Sequence, residues 1–246
     1  MSGARRIGWY GDDFTGATDT LANLAEAGLR ALLFLGLPDA ARLAAAGPLD
    51  AIGIAGAARA MAPGPMMAEL APVGAFFAAQ DVAVLHYKVC STFDSAPGIG
   101  NIATAVATLR PFCPAPWVPI LGGQPNLGRY CLFGTLFAAA GAGGAMHRID
   151  RHPTMARHPV TPMSEADLVR HLAAQGLDRV ALLDYRAIAA DAAAALAALL
   201  AERPAAVLMD VAREEDLPVL GRLIWRHAAG ARVLAVGASS VARALA

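Results

Sequence analysis

The stretch 7–27, IGWYGDDFTGATDTLANLAEA, holds a strand, a turn and a helix in one segment. Its first four residues form a short apolar run, which is typical of a buried strand. Residues 16–27 predict a helix whose apolar face consists of Ala17, Leu21, Leu24 and Ala25. The glycines on both sides of the aspartate pair predict a tight turn between strand and helix.

The same alternation of short apolar runs and longer helical patterns continues along the chain. Further strands are predicted at 31–35, 51–55, 82–87, 117–121, 179–183, 205–210 and 233–236. Further helices are predicted at 39–46, 66–79, 99–109, 164–174 (with Ser164 and Asp167 as a capping box), 191–201, 214–227 and from Ser239 onward. This alternation predicts an α/β fold with a Rossmann-like, mostly parallel sheet and helices on both faces.

The middle of the chain departs from this pattern. Residues 122–162 contain no comparable alternation and predict a loop-rich middle segment. We therefore expect two lobes, about 1–125 and 164–236, joined by that segment.

Composition and charge exclude several classes of protein. The chain has 246 residues, a formal net charge of zero and 57 % hydrophobic residues, so strong electrostatic binding to nucleic acid or to acidic membranes is not expected. Arg5 and Arg6 are followed by acidic residues rather than by an apolar core, which argues against a signal peptide, and no segment predicts a membrane span. Three cysteines without a C-x-x-C pair favour a reducing, cytoplasmic location.

Asp12 and Asp13 follow the first strand directly. Ligands of parallel α/β sheets bind beyond the carboxyl ends of the strands, so this pair is a candidate site. A carboxylate there can act as a general base or bind a hydroxyl group. The alternative is a helix cap, which accounts for one of the two aspartates.

Lys88 is the only lysine among twenty basic residues, the others being arginine. It lies in the segment 86–95, HYKVCSTFDS, which follows another predicted strand and adds a thiol, hydroxyl groups and a carboxylate. A compact ammonium differs from a planar guanidinium in size and hydrogen-bond geometry, so this position favours a function that arginine cannot supply. An ordinary polar loop is the alternative, and the glycines before Asn101 fit an anion site or a plain turn equally well.

Other polar residues carry weaker signals. Arg59 follows the strand at 51–55, and two histidines lie near an aspartate in 150–162. Their spacing matches no standard zinc pattern, so we predict no metal site. The chain also contains no Walker-type phosphate loop, no G-x-G-x-x-G after a strand, no nucleophile elbow and no H-E-x-x-H.

Together, DDFTGA at 12–17 and YKVCSTFDS at 87–95 resemble the four-carbon acid sugar kinase family, formerly a domain of unknown function. GRYC at 128–131, DRHPTM at 150–155 and HPVTPM at 158–163 extend the resemblance over most of the chain. The two longer motifs are specific as a pair and much less so singly.

The resemblance implies an ATP-dependent kinase for threonate, erythronate or 3-oxo-tetronate. Residues 1–236 would form its sugar-acid-binding N-terminal domain, and 237–246 would begin the connection to a nucleotide-binding domain that is absent here. ATP and Mg²⁺ would be held mainly by that domain, in cis or in trans. By the same resemblance, Asp12 and Asp13 would contact the substrate hydroxyls, and one of them would be the base. Lys88 would bind the substrate carboxylate. The other residues that would complete the pocket are Arg59, Ser91, Thr92 and Asp94.

Two other interpretations stay open. The chain is either a non-catalytic binding or sensor protein of the same fold, or an effector that works through interaction, which an older label of some family members suggests. The sequence also leaves open a homo-oligomer, the identity of the acid, and whether this polypeptide alone is an enzyme.

Overall fold

The computed structural model describes residues 6–246; residues 1–5, which begin the predicted first lobe and include Arg5, lie outside the described residues. The strands are β1 (Arg6–Gly11), β2 (Ala31–Phe34), β3 (Ala51–Ala55), β4 (Val82–Lys88), β5 (Val118–Gly122), β6 (Arg129–Leu132), β7 (Thr135–Ala139), β8 (Met146–Arg148), β9 (Val180–Leu183), β10 (Ala206–Asp210) and β11 (Val233–Gly237). The helices are α1 (Phe14–Glu26), α2 (Ala40–Ala45), α3 (Pro63–Ala79), α4 (Ile102–Leu109), α5 (Leu168–Ala173), α6 (Tyr185–Ala201), α7 (Asp216–Ala228) and α8 (Ser240–Leu245).

Eight strands form one parallel sheet in the order β2-β3-β1-β4-β11-β5-β10-β9. The predicted α/β fold with a parallel sheet is therefore confirmed. The expected lobes, however, share this sheet, because β11 of the second lies between β4 and β5 of the first. The predicted boundary between the two lobes therefore does not divide the sheet, because the hydrogen bonds at the centre of the sheet join strands that are distant in sequence.

The helices cover both faces of the sheet, as predicted. One apolar core packs α3, α4 and α5 against one face, and a second packs α1, α6, α7 and α8 against the other. The interior strands β3, β5, β10 and β11 are buried along their whole length, which explains their continuous apolar sequence. Within residues 6–246, no helix combines the length and the apolar character that a bilayer crossing needs.

The middle segment is more ordered than its sequence predicts. Strands β6, β7 and β8 form a small antiparallel sheet. The turn between β6 and β7 consists of Phe133 and Gly134, both with positive φ (50° and 73°). The buried carboxylate of Asp210 accepts hydrogen bonds from both amides, at 2.6 and 2.9 Å, which stabilises a turn that phenylalanine rarely forms.

Two helix starts differ from the predictions by more than three residues. Helix α5 begins at Leu168 with Asp167 as its cap, so the predicted capping box opening at Ser164 is wrong. Helix α6 begins at Tyr185 instead of 191, capped by Asp184. Asp191 lies at a kink inside it and accepts from the Ala194 amide, which explains why the sequence indicates a helix start there.

Candidate functional site

The sequence-predicted residues meet at the carboxyl ends of three neighbouring strands. Asp12 and Asp13 follow β1, Arg59 lies in a short 3₁₀ turn after β3, and Lys88 is the last residue of β4. Because β1 lies between β3 and β4, the segments that follow these strands converge. Backbone bonds from the Arg59 amide to the Asp12 carbonyl and from the Asp12 amide to the Lys88 carbonyl continue the sheet into the site.

Asp12 forms a buried ion pair with Arg59. The guanidinium donates from Nη2 to Oδ1 at 2.5 Å and from Nε to Oδ2 at 3.1 Å, so both carboxylate oxygens are engaged. Burial raises the pKa of the Asp12 carboxyl, and the charge and hydrogen bonds of Arg59 oppose that rise. This geometry holds Asp12 and Arg59 in fixed positions relative to each other.

Asp13 serves both as a helix cap and as a wall of the site. Its Oδ1 accepts from the Gly16 amide at 2.9 Å, which caps α1, and from Arg59 Nη2 at 3.0 Å. Its Oδ2 accepts no hydrogen bond from the residues that the structure describes. The two interpretations of the aspartate pair are thus compatible, because Asp13 caps the helix with one oxygen and keeps the other available.

Lys88 is buried beside the first turn of α1. Its Nζ donates to the Val89 carbonyl at 2.6 Å, and no carboxylate of the described chain lies within 4.0 Å of it. A Cβ on Gly16 would lie 2.4 Å from this Nζ, so the ammonium occupies space that only glycine leaves open. A buried ammonium with two unused donor hydrogens can bind an anion.

The segment after β4 folds into a turn that orients its polar groups. Thr92 donates to Asp94 Oδ1 at 2.6 Å, and Phe93 adopts a positive φ of 54°. Below the turn, Ser95 lies 2.9 Å from Nε2 of His171, whose pKa burial lowers, and Gln175 contacts both side chains. This buried network holds the turn so that Asp94 lies in the site.

Two adjoining pockets result, and Asp13 and Arg59 line both of them. The first, about 260 Å³, is lined by Asp12, Asp13, Phe14, Gly56, Ala57, Arg59, Ala60, Asp94, His158, Val160 and Thr161. The second, about 320 Å³, is lined by Asp13, Thr15, Gly16, Asp19, Arg59, Lys88, Cys90, Ser91, Gln124 and Leu127. The predicted residues are thus divided between two pockets. Thr92 lines neither of them and is buried, with its hydroxyl bonded to Asp94.

His158 lines the first pocket but was not predicted as a site residue. Its Nδ1 accepts from the Thr161 amide at 3.0 Å, and the Thr161 hydroxyl lies at the same distance. The sequence singles out this histidine only as part of a possible metal pattern and of the HPVTPM motif. Within residues 6–246, no group of three or more histidine, cysteine or acidic side chains is placed to hold a metal ion.

Other motifs belong to the framework. His152 is buried, and its Nε2 contacts the Ala139 carbonyl at 3.2 Å. Asn101 caps α4 by accepting from the Thr104 amide at 2.7 Å, which favours the plain-turn interpretation of the preceding glycines. Cys131 is buried in a core, and Arg129 and Tyr130 line neither pocket.

The fold and the pockets define an α/β domain with two polar pockets at the carboxyl edge of its sheet, the edge at which folds of this class bind their ligands. Residues 7–245 match the model of a sugar-binding N-terminal domain. The chain therefore belongs to the family of sugar-binding N-terminal domains of four-carbon acid sugar kinases, which confirms the resemblance seen in the sequence.

Individual relatives agree with this assignment. A 3-oxo-isoapionate kinase of Paraburkholderia graminis is 44 % identical over 222 residues, which cover 90 % of this chain and 47 % of the kinase. A 3-oxo-tetronate kinase of Methylobacterium radiotolerans is 34 % identical over 245 residues, covering 98 % of this chain and 55 % of the kinase. The chain thus spans about half the length of these curated relatives.

Solved structures show the same fold. A candidate tRNA synthase from Salmonella typhimurium LT2 superposes with a TM-score of 0.83 at 26 % identity, covering 99 % of this chain and 55 % of that one. A Haemophilus influenzae protein of a domain family of unknown function superposes with a TM-score of 0.80 at 25 % identity, covering 97 % and 55 %.

Proposed function

We propose that this chain is the substrate-binding part of an ATP-dependent kinase for four-carbon acid sugars, working in the cytoplasm. The observation that carries the proposal is the convergence of Asp12, Asp13, Arg59 and Asp94 on one pocket, with Lys88 in the pocket beside it. A small hydroxy acid needs acceptors for its hydroxyl groups and a cation for its carboxylate, and the two pockets supply both. The names of the two kinases above support this substrate class.

In this proposal, the substrate lies across the shared wall of the pockets. Its carboxylate binds Lys88 and Ser91 in the second pocket, and its hydroxyl groups donate to Asp13 and Asp94 in the first. Asp13 is the better base, because its Oδ2 is unbonded within the described chain, whereas Arg59 engages both oxygens of Asp12. The proton of the acceptor hydroxyl then passes to Asp13 Oδ2 as phosphoryl transfer proceeds.

The composition of the first pocket argues against ATP as its ligand. The sequence has no glycine-rich phosphate loop, and the carboxylates that line the first pocket would repel a triphosphate. We therefore propose that ATP and Mg²⁺ bind to a separate part of the enzyme, in cis or in trans, and derive no step through them. The full length of the relatives, about twice this chain, supports that view.

Isothermal titration calorimetry tests the proposal. The wild-type chain should bind threonate, erythronate or 3-oxo-tetronate, and Asp13→Asn and Lys88→Met should each weaken binding at least tenfold, about 1.4 kcal/mol. Asp178→Asn is the matched control, because Asp178 is exposed and lines neither pocket. Wild-type protein that binds none of these acids, or pocket variants that bind like Asp178→Asn, would contradict the proposal.

A further inference from the structure

One wall of the first pocket comes from the middle segment, and His158 and Thr161 are its polar side chains. Two histidines of this segment, His152 and His158, share the same local arrangement, since Nδ1 of each accepts from backbone amides two or three residues later. They differ at Nε2. In His152 this atom contacts the Ala139 carbonyl, whereas Nε2 of His158 makes no hydrogen bond within residues 6–246 and is not buried.

The bond at Nδ1 determines which nitrogen carries the proton. A backbone amide is only a donor, so an Nδ1 that accepts from the Thr161 amide must carry a lone pair. The neutral imidazole then has its hydrogen on Nε2. Because the Thr161 side chain is buried and the Thr161 hydroxyl also lies 3.0 Å from Nδ1, the ring is held in this orientation. His158 therefore offers the first pocket a neutral hydrogen-bond donor.

The charges around this donor restrict what it can bind. Three carboxyl groups (Asp12, Asp13 and Asp94) and one guanidinium line the first pocket, and that guanidinium is already bonded to Asp12 and Asp13. An anionic acceptor would therefore be repelled, while a neutral acceptor would not. A carboxylate has a better site beside Lys88 in the second pocket, so the group facing His158 should be an uncharged oxygen.

We propose that His158 is a specificity-determining residue, which donates a hydrogen bond from Nε2 to an oxo oxygen of the bound sugar acid. This inference rests on the proposed function. It adds which group of the substrate is recognised by the wall of the pocket that contains His158. The aspartates can only accept hydrogen bonds and so contact hydroxyl groups, whereas a ketone oxygen can only accept and needs a donor. His158 supplies that donor, which fits the oxo acids named for the related kinases.

The experiment compares two ligands and three variants by calorimetry. The ligands are 3-oxo-tetronate and the corresponding 3-deoxy acid, which lacks the acceptor. His158→Asn keeps an acceptor for the Thr161 amide, but its shorter side chain brings no donor to the pocket. His158→Phe keeps an aromatic ring without a donor. His158→Gln places an amide donor near the position of Nε2. Circular dichroism establishes that each variant is folded.

We expect His158→Asn and His158→Phe to bind 3-oxo-tetronate about 3- to 10-fold more weakly than wild type, the effect of one neutral hydrogen bond. Their affinity for the 3-deoxy acid should be unchanged, and His158→Gln should recover part of the preference for the oxo acid. Equal weakening for both ligands, or wild-type selectivity in a folded His158→Asn or His158→Phe, would overturn the inference and leave the proposed function intact. A wild type that binds neither acid overturns the inference, and one that also fails to bind threonate and erythronate contradicts the proposed function as well.

Discussion

At the scale of single residues, Gly16 and Lys88 depend on each other. Gly16 lies in the first turn of α1, and its missing side chain leaves room for the Lys88 ammonium and for Asp13 Oδ1. An arginine at position 88 would bring a planar, branched head group into that space. The composition of the sequence points to Lys88, but the partner that explains it is visible only in three dimensions.

Gly16→Ala tests this dependence. Helix propensity alone would make alanine more stable than glycine by up to about 1 kcal/mol, but the new Cβ would lie 2.4 Å from Lys88 Nζ and 2.5 Å from Asp13 Oδ1. We expect a loss of about 1–3 kcal/mol in the free energy of unfolding, measured by urea denaturation, together with weaker acid binding. Gly64→Ala, in the first turn of α3 with open space around its Cβ position, should be neutral or stabilising. Equal effects of the two substitutions would contradict the prediction.

His86 makes the stability of the protein depend on pH. It is buried in β4, its Nε2 contacts the Gly237 carbonyl at 3.0 Å, and its Nδ1 has no partner among the described residues. Burial lowers the pKa of His86 to about 3, against 6.5 for an exposed histidine. The unfolded chain therefore binds a proton that the folded chain rejects between pH 6.5 and about 3, so stability falls as the pH decreases through this window.

We expect His86 to account for a loss of about 2 kcal/mol in the free energy of unfolding between pH 7 and pH 5. His86→Gln keeps a donor for the Gly237 carbonyl but cannot titrate, so its stability should fall less over the same range. Urea denaturation of both proteins at the two pH values measures the difference. If both lose the same stability, other groups are responsible.

At the scale of elements, the small antiparallel sheet depends on one carboxylate. Asp210 ends β10 and accepts hydrogen bonds from the amides of Phe133, Gly134 and Tyr185. It thus joins the β6–β7 turn and the start of α6 to the main sheet. Because Asp210 is fully buried, the three amides would lack a partner without it.

Asp210→Ala should therefore lower the free energy of unfolding by at least about 3 kcal/mol, and Asp210→Asn by less, since one acceptor oxygen remains. Hydrogen exchange at the Phe133 and Gly134 amides should accelerate more than exchange in β3, at the other end of the sheet. Uniform acceleration across both regions would indicate a global rather than a local effect. Asp184→Ala, which removes the cap of α6 without touching the turn, is the control.

These elements also show what the sequence could and could not predict. The interior strands of the large sheet are buried on both faces, so their apolar runs stand out, and the sequence predicts β3 to the residue. The sequence does not predict the β6–β7 turn, because Phe-Gly is not a usual turn pair and the carboxylate that bonds its amides, Asp210, is 76 residues or more away in the chain. The sequence places Asp12, Asp13 and Lys88 at the edge where the pockets lie because they come at the ends of predicted strands. His158 lies in the irregular segment, where periodicity carries no signal.

At the scale of the whole molecule, the proposal that the sugar acid and ATP bind to different parts of the enzyme leads to a clear prediction. A polypeptide of these 246 residues should bind the sugar acid and gain thermal stability from it, yet transfer no phosphoryl group from ATP. Differential scanning fluorimetry with threonate or 3-oxo-tetronate measures the first effect, and ion chromatography of the phosphorylated acid measures the second. ATP-dependent phosphorylation by this polypeptide alone would contradict the prediction.

The position of β11 has a consequence for how the protein is made. On a ribosome, β4 and β5 emerge long before residues 233–237, and the gap between them cannot close until β11 has left the exit tunnel. Until then, two strand edges stay open at the centre of the nascent sheet, where they can pair with other chains. Between the synthesis of β5 and that of β11, the sheet is therefore incomplete and prone to aggregation, and chaperones should matter most in that interval.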